Sequence, residues 1–171
     1  MGNVLRRINR IADALTRFLC AGLGAAIFLI AFVQVVFRYV LNSSLFWAEE
    51  AVIYAMVWLA FLGSSLLLQD WGHIGINALL RVVSPRARAV LVFVVHAAML
   101  LFLGFLAYYG TTTALFGFSR RSVTMDISTW WIKLAIPLSA VLMGVHLIER
   151  LLVDIGHFRR GDLGHFDRYA A

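Results

Sequence analysis

The densest run of residues able to do chemistry is Arg38-Tyr39-Val40-Leu41-Asn42-Ser43-Ser44-Leu45-Phe46-Trp47-Ala48-Glu49-Glu50. It holds a guanidinium, an amide, a phenol, two serine hydroxyls, an indole and two adjacent carboxylates between two apolar stretches. Asn42, Ser43 or Ser44 suits the cap of a following helix, and carboxylates in a first turn suit the positive end of its dipole. Arg38, one turn before the end of the preceding stretch, is placed to reach a glutamate across the connection. Neighbouring residues on a helix point about 100° apart. Two readings of Glu49 and Glu50 stay open: the pair locks the connection from within, or one of the two faces a partner chain, and their diverging directions allow one residue for each purpose.

Two histidines form the second candidate. His96 and His146 lie in separate apolar stretches and fall at a similar depth if those stretches run antiparallel. Two such imidazoles can ligate a b-type haem between helices, which would make the chain the haem-binding anchor of a respiratory oxidoreductase. Lone histidines in apolar helices more commonly hydrogen-bond to a neighbouring helix. No serine stands in a hydrolase pattern, and G-x-S-x-G, H-E-x-x-H and phosphate-loop motifs are missing from the sequence. Cys20 is the single cysteine, so an internal disulfide or cysteine metal cluster is impossible, and its apolar setting marks it as a packing residue. Neither catalysis nor a resident metal or cofactor is expected.

The elements that carry these residues follow from composition. The 171 residues are 62% hydrophobic and only 14% charged, with mean hydropathy +0.87, a balance that points to lipid as the solvent. Four stretches suffice to cross a hydrocarbon core, which takes about 20 helical residues: 18–40, 47–68, 89–109 and 130–153. The expected fold is an all-α membrane protein of four transmembrane helices in two hairpins, with a basic N-terminal arm over 1–17 and a C-terminal tail over 154–171. The first stretch exceeds the apolar core of a signal peptide and lacks a small-residue cleavage site after it, so it stays as an anchor.

Charge sets the orientation. Arg6, Arg7, Arg10, Arg17, Arg81, Arg86, Arg88, Arg150, Arg159, Arg160 and Arg168 fall on one side, against Arg38, Arg120, Arg121 and Lys133 on the other. The positive-inside rule places both termini and the second loop in the cytoplasm. The net charge of +6 reflects this topology and anionic headgroups rather than nucleic acid, which needs basic residues clustered on a soluble face. Between Trp71 and Pro85 the residues Ile74, Ile76, Leu79, Leu80, Val82 and Val83 alternate loosely with polar ones, predicting a short amphipathic helix in the cytoplasmic interface. Trp47, Trp71, Trp130 and Trp131 mark interfacial belts. Small residues recur four apart (Gly22 and Ala26, Ala51 and Ala55, Ala60 and Ser64, Ala140 and Gly144), as close helix packing in lipid requires.

The centres of the four stretches hold no Asp, Glu, Lys or Arg. Ion and proton carriers place such groups at membrane depth, so the chain is poorly equipped to transport alone. A small self-associating exporter is disfavoured on this ground.

Three segments together resemble one family. FRYVLNSSLFWAEEAVIYAMVWLAFLGSS is similar to the segment joining the first two spans in the small permease subunits (DctQ type) of tripartite ATP-independent periplasmic (TRAP) transporters. Arg38, Asn42, Ser44, Trp47, Glu49 and Glu50 carry that likeness. GHIGINALL, with Gly72, His73 and Ile74, resembles the family's segment after span two, although Asn77 stands where an acid is common. STWWIKLAIPLSAVLMGVHLIERLL matches in Trp130 and Pro137. The resemblance runs from about Ile8 to Leu152. It implies a non-enzymatic subunit in a bacterial inner membrane, partnered by a large TRAP membrane subunit and a periplasmic solute-binding protein. It further implies sodium-driven uptake of organic acids such as carboxylates or sialic acids, with the transport chemistry in the large subunit.

Overall fold

The computed structural model describes residues 2–69 and 82–169. Among them the elements are α1 (Gly2–Tyr39), α2 (Phe46–Gln69), α3 (Pro85–Phe116), α4 (Trp130–Lys133), α5 (Ala135–Arg159) and a 3-10 helix over Leu163–Tyr169. Four segments are long and apolar enough to cross a membrane: Ala12–Tyr39, Phe46–Leu68, Arg86–Phe116 and Trp130–Arg159. The expected interfacial helix, with Gly72, His73, Ile74 and Asn77, lies outside the described residues.

Local chemistry sets several element boundaries. Ser84 is extended (φ −62°, ψ 155°) ahead of Pro85, because the residue before a proline avoids the helical region while proline itself suits a first helical position. The break between α4 and α5 falls at Leu134, three residues before Pro137. Pro137 has no N–H to give the carbonyl of Lys133, so the last membrane segment is interrupted at this point. Asn42 turns the chain between α1 and α2 with φ 48°, a left-handed conformation that asparagine tolerates better than most residues.

Packing centres on α5, which contacts both α2 and α3, while α1 lies chiefly along α2. Leu68 of α2, Leu103 of α3 and Ala140, Met143 and Leu147 of α5 form one buried cluster. Two helices approach closely at Gly110, where an added Cβ would sit 2.8 Å from Ile136 Cγ2 and 3.1 Å from Pro137 Cδ. Gly22 and Gly144, which the four-residue spacing singles out, have open space where a side chain would stand. Of the residues that the spacing singles out, Ala140 does lie in the buried interhelical cluster, whereas Gly110 falls outside the pattern. Large apolar side chains on α1 remain exposed, including Phe28, Leu29, Phe32 and Val35, as expected of a surface covered by lipid or another membrane chain.

Candidate functional site

Polar side chains gather at the two ends of the bundle. At the end carrying the α1–α2 turn, Glu49 and Glu50 face different neighbours. Glu49 Oε1 accepts a bond from Gln34 Nε2 at 3.2 Å and lies 4.0 Å from Arg38 Nη1, so it ties α2 to the last turns of α1. Glu50 turns the other way. Its Oε2 accepts the backbone N–H groups of Thr124 at 3.0 Å and Met125 at 3.2 Å, together with the Thr124 hydroxyl. The Tyr54 hydroxyl donates to Oε1. One carboxylate thereby fastens the loop between α3 and α4 to the start of α2.

That loop is itself ordered by short-range bonds. Ser122 N–H donates to the Ile127 carbonyl at 2.8 Å and Thr129 N–H to the Arg120 carbonyl at 2.9 Å. Asp126 adopts φ 53°, and Arg121 Nη1 holds its carboxylate at 3.0 Å. Gly117 is obligatory at the base, because a Cβ there would lie 2.8 Å from Trp130 N; Trp130 stacks on Phe118 with ring centroids 4.7 Å apart. Trp130 thus anchors the foot of the loop, and Pro137 packs against Gly110 one helix away. Trp47 is partly exposed.

The expected capping role falls elsewhere. Because α2 begins at Phe46, the residue before it is Leu45, whose carbonyl receives the Ala48 N–H at 3.1 Å. Asn42 and Ser43 instead belong to the turn, where Ser43 N–H donates to the Phe37 carbonyl at 3.0 Å, and Ser44 stands between the two.

At the opposite end the polar groups are buried. Asp154 of α5 is fully buried; its Oδ2 accepts the Tyr169 hydroxyl at 2.7 Å and its Oδ1 lies 3.0 Å from His165 Nε2. His96 of α3, also fully buried, places Nε2 3.8 Å from Asp154 Oδ2 and Nδ1 2.8 Å from the Val92 carbonyl. His146 Nε2 lies 3.3 Å from Asp13 Oδ1, linking α5 to α1 where its membrane segment begins. The two histidines considered as a haem pair are thus each directed at a carboxylate on another helix, in the interhelical arrangement weighed against haem. Asp13 and Asp154 were missed as partners because hydropathy assigns them to the arm and the tail. The available signal was a single acid set among apolar neighbours, Ile11-Ala12-Asp13-Ala14-Leu15 and Leu152-Val153-Asp154-Ile155. Asp162 lies beyond the last membrane segment, and the hydrogen bond from His157, Nδ1 to Oδ2 3.0 Å, is the main cause holding its carboxyl below the usual aspartate range.

Four apolar helices bound together by polar groups near their ends define a multi-pass membrane protein. Residues 27–156 match the family of tripartite ATP-independent periplasmic transporters, DctQ component. The chain belongs to that family of transporter components, and its place is the bacterial inner membrane. It is similar to the C4-dicarboxylate TRAP transporter small permease protein DctQ of Vibrio cholerae, with 29% identity over 56% of this chain and 41% of the relative. The C4-dicarboxylate small permease DctQ of Rhodobacter capsulatus is 29% identical over 72% of this chain and 54% of its own length. The sialic acid small permease SiaQ of Vibrio cholerae is 22% identical over 86% and 85%. The chain thus spans about half the length of the C4-dicarboxylate relatives.

Proposed function

We propose that this chain is the small membrane subunit of a TRAP transporter, bracing a large permease subunit and helping to seat a periplasmic solute-binding protein during sodium-driven uptake of an organic acid. The observation that carries the reading is the family match over residues 27–156. Two further findings support it. The sialic acid TRAP transporter permease protein SiaT of Haemophilus influenzae aligns with 88% of this chain over only 24% of its own length, as fits a component that serves inside a larger permease. Among the described residues, charged side chains lie towards the ends of the four membrane segments, which suits a scaffold better than a carrier. In this reading the helices form two hairpins with both termini in the cytoplasm, and the α1–α2 turn faces outward with the loop that Glu50 secures. C4-dicarboxylates and sialic acids are the substrate classes that the names of the relatives offer.

Co-purification tests the assignment: a tagged chain expressed with the proteins of its neighbouring genes should retain a large hydrophobic partner, and vesicles containing this chain alone should take up no organic acid. Uptake by the chain alone would overturn it. The double substitution Glu49→Gln, Glu50→Gln should weaken assembly or uptake without preventing insertion; wild-type values for both would remove the acid pair from the reading. Cysteines placed at Arg159 or Arg160 should resist a membrane-impermeant reagent in intact cells, and ready labelling would reverse the orientation.

A further inference from the structure

The polar cluster around Asp154 plays no part in the role proposed above, and its composition is unusual for a membrane segment. A fully buried carboxylate is costly unless hydrogen-bonded or paired. Two of the side chains that meet it, His165 and Tyr169, come from the short C-terminal 3-10 helix rather than from the bundle. That helix spans only Leu163–Tyr169, too short to persist without a surface to fold on. Its seat is apolar: Phe166 and Tyr169 are buried with Ala89 and Val92 of α3. Phe166 meets Phe93 edge-on at 5.9 Å and Phe158 at 6.4 Å.

The connection to α5 is a tight turn centred on one glycine. Gly161 takes φ 75°, a conformation open to glycine and strained for most other residues. Around it the N–H groups of Gly161 and Asp162 close back on the carbonyls of Phe158 and His157, both at 3.1 Å. The His157 ring lies flat on His165 with centroids 3.7 Å apart. The 3-10 helix packs on α3 and α5, so its release disturbs neither the α1–α2 nor the α2–α5 contact.

We propose that residues 163–169 form a strap with a hinge at Gly161, a wedge at Phe166 and a catch at Asp154, and that opening it uncovers the apolar seat on α3 while the four-helix bundle stays folded. Segments with few contacts to the rest of a fold open separately from it, and here the closed position rests on the Asp154 carboxylate together with the seated Phe166 ring. In the closed state the chain covers its own α3–α5 seam at the terminal end.

The test uses the full chain in nanodiscs, with Cys20→Ser and Ala89→Cys, so that the sole thiol lies beneath the strap. A charged, water-soluble maleimide should label it slowly. Removal of residues 161–171 defines the open rate. Asp154→Asn and, separately, Phe166→Ala should raise labelling about tenfold or more towards that rate, as loss of a charged hydrogen-bond acceptor or a buried ring implies. Should Asp154→Asn fail to insert, His165→Ala with Tyr169→Phe removes the same bonds from the strap side alone. Slow labelling of the truncated chain would show that the strap does not cover the seat. Fast truncated labelling with wild-type rates in the catch variants would show that Asp154 does not hold it. Either result overturns the proposal.

Discussion

Carboxylates organise both ends of this bundle, under opposite conditions. At the turn end Glu49 is largely exposed, with 68% of its side chain accessible, and Glu50 joins segments 74 residues apart at a rim where its bonds from Thr124 are exposed and those from Met125 and Tyr54 half-buried. At the terminal end Asp154 has no exposed surface and His96 none either. Exposed polar bonds exchange with water at little net cost, whereas a buried acceptor that loses its donors bears the whole desolvation penalty. The turn end therefore fixes the position of a loop, and the terminal end contributes more to holding helices together.

The contrast is sharpest in substitutions ordered by their effect. His146→Ala should be the most damaging, at about 2–3 kcal/mol, because it takes the imidazole from Asp13 at a site where the histidine is 8% exposed. Thermal unfolding in nanodiscs measures it, and a negligible change would place the terminal end on the same footing as the turn end. Glu50→Gln should come next and act locally. Amide exchange at Thr124 and Met125 should quicken, with the melting temperature falling less than for His146→Ala. Unchanged exchange would mean that the loop's own bonds, Ser122 to Ile127 and Thr129 to Arg120, suffice to order it. Arg38→Gln should shift stability by no more than about 0.5 kcal/mol, since both partners of the Arg38–Glu49 pair are exposed.

The smallest effect is a pH dependence at Asp162. Its carboxyl titrates below the usual range because His157 bonds to it. A depressed acid stabilises the folded state above its unfolded value, and that contribution disappears as pH falls through the folded value. The increment should be constant from neutral pH down to the usual aspartate range and fade only in stronger acid. His157→Ala should return the Asp162 titration, followed by carboxyl carbon NMR, to the ordinary range; an unmoved titration would assign the shift to another group.

Hydropathy made the four membrane helices legible, because lipid imposes a length and a composition on whatever crosses it. It read their ends less well. α3 reaches Phe116 and α5 reaches Arg159, since a helix continues past the apolar stretch wherever polar side chains can reach water. The approach of Arg38 to Glu49 can be reasoned from sequence, as each lies one turn from a short connection. Thr124 as the partner of Glu50 cannot, for it sits in a loop with no marker of its own. Asp154 and His165 are likewise brought together by the return of the chain at Gly161, which hydropathy does not register.

The contact at Gly110 has a mechanical consequence. With Ile136 and Pro137 pressed against a position that has no side chain, any larger residue at Gly110 would force α3 and α5 apart at this level. The first helix is tied in as well, for α1 lies along α2 and is linked to α5 through Asp13 and His146.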